Sequence, residues 1–192
     1  MSENSLKFSG ILSPVLTPFT KDLKPDSRRL VKLCRWLSSQ NVALVLFGTT
    51  SEANSLSLEE KISLLNDLID AEINPSLLMP GTGCCSLTET VQLTSHAVKL
   101  GCKGTLMLPP FFYKDINDDG LFRSYAETIE RVGDSALKIY LYHIPPVSGV
   151  NISLDLIERL VIRYPNTIVG VKDSSGNWEN TQSILERQWD DF

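Results

Sequence analysis

Long apolar runs are missing from this sequence, and with them everything that needs such runs. The opening M-S-E-N-S-L-K-F-S-G has no apolar core of signal-peptide length, and no stretch approaches the roughly 20 apolar residues of a membrane span. A cytoplasmic protein is expected. Positive charge is in deficit too: 18 Lys and Arg stand against 23 Asp and Glu, a net charge of −5. That balance argues against nucleic acid or a membrane surface as partner. A basic cluster, Lys24, Arg28, Arg29, Lys32 and Arg35, recurs at helical spacing and reads as a solvated helix face. Histidine and cysteine are scarce, at two and four residues. Cys84 and Cys85 are adjacent, poor geometry for a disulfide or a zinc site, and Cys34 and Cys102 fall in helix-like segments. Cys84, after G-T-G, leaves a thiol nucleophile open, although neither His96 nor His143 is placed to activate it. Phosphate loops are absent: the first strand region reads S-P-V-L-T-P-F-T where a dinucleotide site needs G-x-G-x-x-G, and no G-x-x-x-x-G-K-[ST] occurs. No metal and no cofactor is expected.

What is present is a regular alternation of two hydrophobic periods. Short β-rich runs begin near residues 10, 43, 76, 104, 138 and 167, a repeat of about thirty residues, the size of a βα unit. Helical spacing fills the gaps: Leu30, Leu33 and Leu37; Ile62, Leu65, Leu68 and Ile69; Val91, Leu93, Ala97, Val98 and Leu100; Leu121, Tyr125, Ile129 and Val132; Leu156, Ile157, Leu160 and Val161. Ser57 and Ser86 each stand three residues before a glutamate, a capping-box pattern, while Asp26 and Ser153 can cap the first and fifth helices and Gly101 follows the third. The strands are continuous apolar runs, which predicts burial on both faces and a parallel sheet. No linker divides the chain, so residues 1–192 are read as one α/β domain. A doubly wound sheet and a (β/α)₈ barrel both meet this description, and both put functional groups at the carboxyl ends of strands.

The strand ends carry chemistry. T-I-V-G-V-K-D-S-S delivers Lys172 where an apolar run opens into a loop. A buried lysine tends to lose its proton and become a nucleophilic amine, the requirement for a Schiff base with a carbonyl substrate. Lysines at strand ends also snorkel to water, so this residue gains meaning only from its company. One strand earlier K-I-Y-L-Y-H-I-P-P ends on the phenol of Tyr142, and V-A-L-V-L-F-G-T-T-S-E brings Gly48, Thr49 and Thr50 to a strand end. His143, next to Tyr142, is expected on the opposite face of its strand.

Together these motifs resemble the dihydrodipicolinate synthase / N-acetylneuraminate lyase family, pyruvate-handling class I aldolases built on a (β/α)₈ TIM barrel. The resemblance runs from Gly10 to about Asn180 on five ordered landmarks: P-V-L-T-P-F, G-T-T-S-E, P-P-F-F-Y-K, Y-H-I-P-P-V-S-G and G-V-K-D-S-S-G. It implies that Lys172 forms the Schiff base, that Tyr142 moves protons to and from the substrate, and that Thr49 belongs to the proton relay. It implies that Thr50 and Gly48 help hold the pyruvate carboxylate, and that Tyr113 completes the relay of a neighbouring subunit in a homodimer or homotetramer. Ser174 either faces the pocket or caps the next helix, and Tyr113, after two phenylalanines, also reads as packing.

Three features depart from the family pattern. Ser51 replaces the second glycine of G-T/S-T-G-E; if that position needs a positive φ, serine costs about 1 kcal/mol. Val147 stands where the synthases carry an arginine for the second substrate's carboxylate, and an apolar residue makes no bidentate contact. This favours the lyase branch, or the sugar-acid and hydroxy-oxoglutarate aldolases, over dihydrodipicolinate synthase. Finally, six βα units are read where a barrel typically takes about 250 residues. The chain thus reads as a barrel stopping after six units: a fragment, a truncated gene product or an isoform. It is expected to be a poor enzyme alone, prone to associate through open strand edges. An inert homologue acting through full-length subunits, and an unrelated doubly wound binding domain, are the competing readings.

Overall fold

The strands start where the hydrophobic periods change, each within two residues of expectation. The computed structural model describes residues 7–187, 189 and 192. Met1–Leu6 of the opening segment, and Gln188, Asp190 and Asp191 of the closing one, lie outside the described residues. By element, the order is β1 (Leu12–Pro14), α1 (Ser27–Ser39), β2 (Ala43–Leu46), α2 (Leu58–Asp70), β3 (Leu78–Pro80), α3 (Leu87–Lys99), β4 (Thr105–Met107), α4 (Asp118–Val132), β5 (Ile139–His143), α5 (Pro145–Ser148), α6 (Leu154–Arg163), β6 (Ile168–Asp173) and α7 (Trp178–Glu186). Six strands lie among the described residues, each followed by at least one helix: six βα units of the (β/α)₈-barrel fold. Three-stranded sheets run β1-β2-β3 and β4-β5-β6. Two compact units are distinguished, Met1–Gly81 with Leu93–Thr105 and Thr82–Gln92 with Leu106–Phe192.

In the first unit β1, β2 and β3 pair in parallel, with Leu44 of β2 in register with Ser13 of β1 and Leu78 of β3. Its core gathers Leu44, Leu46 and Leu78 from the sheet with Leu30 and Cys34 of α1, Leu64, Leu65 and Leu68 of α2, and Leu93 of α3. Each such leucine contributes about 2 kcal/mol on burial. Cys34 is fully buried, which pushes its thiol up to about 12, and Cys102 is pushed equally high by burial. Both are inert packing groups. Arg28, Arg29, Lys32 and Arg35 are exposed on α1, as the spacing predicts.

The helix starts follow capping chemistry. Asp26 accepts from the Arg29 N–H at the head of α1, Ser57 and Glu60 form a complete capping box on α2, and Ser153 caps α6. Such caps are worth about 1 kcal/mol each. Ser86 accepts from the Glu89 N–H at α3.

In the second unit β5 and β6 pair in parallel. Leu121 and Tyr125 of α4, Leu156, Ile157 and Leu160 of α6, and Ile139, Leu141 and Ile168 of the strands are buried. Ser153 donates to Asp118 (2.5 Å) and Arg159 to Asp119 (2.8 Å), joining the cap and middle of α6 to the start of α4. Burial along the strands departs from expectation at the two ends of the series. β2, β3 and β4 are buried throughout, but β1 is half-buried to exposed, and β6 is buried only at Ile168 and Val169. No described helix is long and apolar enough to cross a membrane.

Candidate active site

Lys172 and Tyr142 are brought together by strand register. Tyr142 pairs with Lys172 and Tyr140 with Gly170 across β5 and β6. Side chains two apart share a face, so the two pairs form successive layers. Gly170 leaves the lower layer to the Tyr140 ring: a Cβ there would fall 2.6 Å from Tyr140 Cδ1. In the upper layer Lys172 Nζ lies 4.2 Å from the centroid of the Tyr142 ring, within cation–π range. Tyr142 is buried, whereas Lys172 is half-buried rather than enclosed, because β6 opens from Gly170 onward. The Ser174 N–H donates to His143 O (2.7 Å), carrying the pairing one residue past the strands.

The opposite face holds the pair His143 and Asp173. His143 is buried, and its Nδ1 accepts from the Ile152 N–H (3.2 Å) just before α6. Burial lowers its basicity, partly opposed by the Asp173 charge. Asp173 accepts from Thr181 Oγ1 (2.6 Å) and Asn180 Nδ2 (3.0 Å) of α7 and from the Ser175 N–H (2.9 Å). Burial alone would raise its carboxyl, but these hydrogen bonds outweigh it and hold Asp173 at about 2, against an ordinary 3.8. The carboxylate thus ties the residue next to Lys172 to the following helix. Asn177, not Ser174, caps α7, which removes the capping role considered for Ser174.

The linkage has a defined sign. A folded pKa below the unfolded one gives stability that is fully present above 3.8 and lost as pH falls toward 2. Asp173→Asn is therefore expected to flatten the acid limb of a melting-temperature profile between those values. A limb as steep as in the parent would show that other carboxylates dominate it.

Tyr113 lies in the loop after β4, exposed with its neighbour Phe112, their rings edge to face at 5.3 Å. It is therefore not a core residue. Lys114 Nζ donates to Phe111 O and, at 2.7 Å, to Ser148 O, clipping this loop to the short α5 that carries exposed Val147.

In the first unit Gly48, Thr49 and Thr50 stand at the carboxyl end of β2. Gly48 is buried and the two threonines are exposed in a turn where the Glu52 N–H donates to Thr49 O (3.1 Å). Ser51 has no positive φ, so the cost considered for replacing a glycine there does not arise. The left-handed residues of this segment are instead Phe47 (φ 53), four residues earlier, and the adjacent Glu52 (φ 54). The Ser51 hydroxyl donates to Val15 O (2.5 Å) and accepts from the Gly48 N–H (3.3 Å), while Thr17 Oγ1 donates to Ser51 O (2.7 Å).

Asp173, Lys114 and the bonding role of Ser51 were not legible as site features in the sequence. Only Asp173 carries a local signal, since an aspartate two residues before a serine is the pattern of an Asx turn.

Comparison with known proteins bears on the fold and the family. An uncharacterized DapA-like lyase of Chloroflexus aurantiacus is 36% identical over 179 residues, 92% of this chain and 59% of that protein. The crystal structure of dihydrodipicolinate synthase from Agrobacterium tumefaciens superposes with a TM-score of 0.90 at 32% identity, over 93% of this chain and 63% of that one. A chloride-inhibited dihydrodipicolinate synthase from Acinetobacter baumannii, complexed with pyruvate, gives 0.81 at 32% identity, over 93% and 60%. The chain thus spans about three fifths of the length of these relatives. A model of the dihydrodipicolinate synthetase family matches residues 7–192, and the chain belongs to that family.

Proposed function

We propose that the chain carries the Schiff-base machinery of a class I aldolase or lyase acting on a 2-oxo acid, with pyruvate as the carbonyl component. The observation that carries this reading is the in-register pair at the ends of β5 and β6, with the Lys172 amine over the Tyr142 ring at 4.2 Å. The neutral amine attacks the substrate's C2 carbonyl; loss of water leaves an imine. The imine accepts the electron pair of the breaking C3–C4 bond, the aldehyde departs, and an enamine remains. Protonation at C3 and hydrolysis release pyruvate and restore Lys172. Tyr142 moves the proton in these steps, with Thr49 in its relay, Thr50 and Gly48 on the carboxylate and Ser174 beside the amine. Tyr113 serves a neighbouring subunit of a homodimer or homotetramer, a role supported by the exposure of Phe112 and Tyr113. A cytoplasmic location suits this chemistry.

Val147 directs the choice of second substrate. Exposed on α5, it presents no charge to an incoming carboxylate. Cleavage of a sugar-acid-type substrate is expected over condensation of pyruvate with aspartate semialdehyde. The test pairs two measurements. Borohydride with pyruvate should add mass to the peptide containing Lys172, and labelling at Lys103 or Lys138 would sink the assignment. A panel of N-acetylneuraminate, 2-keto-3-deoxy sugar acids and 4-hydroxy-2-oxoglutarate should outperform the synthase reaction. Robust synthase turnover would overturn the reading of Val147.

A further inference from the structure

The loop after β2 is held in place by a residue that the family pattern leaves without a side chain. Ser51 is 1% exposed, and its hydroxyl bridges two backbone groups from different elements: it donates to Val15 O at the end of β1 and accepts from the Gly48 N–H. Its own carbonyl accepts from Thr17 Oγ1, itself buried. The Ser51 N–H and the Ala53 N–H both return to Gly48 O (3.1 and 3.3 Å). Left-handed Phe47 and Glu52 bracket the segment, and non-glycine residues persist in that region only where their surroundings over-determine them. Thr49 and Thr50 are thus exposed on a turn whose flanks are fixed from beneath.

We infer that Ser51 is a positioning residue for carboxylate recognition: it fixes Gly48–Thr50 in the conformation that receives the anionic end of the 2-oxo acid. This rests on the proposed function, in which that loop holds the carboxylate. A glycine at position 51 supplies no hydroxyl, so Val15 O and the Gly48 N–H lose a shared partner and the loop gains freedom. Binding an anion must then order what Ser51 orders in advance.

The experiment measures the apparent affinity of imine formation with pyruvate and with pyruvamide, its uncharged isostere, in the full chain. The parent protein, Ser51→Ala and Ser51→Gly are compared. Both variants lose the two hydrogen bonds of the hydroxyl and should weaken pyruvate about tenfold, and pyruvamide by less than about twofold. Ser51→Gly carries the family's own residue and guards against a fold defect in Ser51→Ala. Parent-like pyruvate affinity in Ser51→Gly would overturn the inference. So would equal losses for both carbonyl compounds, since a merely structural serine moves them together. Absence of any adduct in the parent protein would instead remove the Schiff-base reading on which the inference stands, a failure read directly from the control.

Discussion

Lys172→Ala is expected to lower aldolase turnover by about 10⁴- to 10⁶-fold, the scale on which removal of a covalent nucleophile acts. Alanine removes the only atom in the proposed mechanism able to form the imine, and without the imine the C3–C4 electron pair has no sink. The fold should survive. Lys172 is half-buried and its amine lies over the Tyr142 ring, so truncation leaves no buried charge behind. The check is turnover alongside a melting curve, together with loss of the borohydride adduct. Activity within tenfold of the parent would end the Schiff-base proposal.

Tyr142→Phe follows, with an expected loss of about 10²- to 10⁴-fold for a group that transfers protons. Phenylalanine keeps the ring that faces Lys172 Nζ and keeps the buried packing of β5. It removes the phenolic oxygen alone. The fold and the pairing with β6 should therefore hold, and slower imine formation should accompany the slower turnover. Unchanged turnover would make Tyr142 a packing residue whose ring orients the amine and nothing more.

Local chemistry explains which parts of this molecule could be read in advance. Ser57 with Glu60, Asp26 and Ser153 announce helix starts because a cap bonds within three residues of itself. The pairing of Tyr142 with Lys172 follows from motifs that each end a strand. What stayed hidden depends on residues far apart in the chain. Ser51 and Val15 are 36 positions apart, and Lys114 and Ser148 are 34 apart. Phe47 is the sharper case. The sequence F-G invites a left-handed glycine, yet Phe47 takes that conformation. Its carbonyl occupies the space where Gly81 lacks a side chain, since a Cβ there would fall 2.2 Å from Phe47 O. A glycine 34 residues later leaves room for the backbone of a phenylalanine. The half-burial of Lys172 was missed for a related reason: an apolar run in sequence marks a strand but not how far its end is covered.

The Lys114 clip bears on how substrate preference in this chain could be re-engineered. One ammonium joins the carbonyl of Phe111 to that of Ser148, so the loop bearing Tyr113 and the turn bearing Val147 are mechanically one part. A graft that replaces Val147 alone inherits a turn angle set by a loop chosen for another purpose. Segments 111–114 and 145–149 are better exchanged as a single cassette, with the lysine and both of its acceptors carried across together.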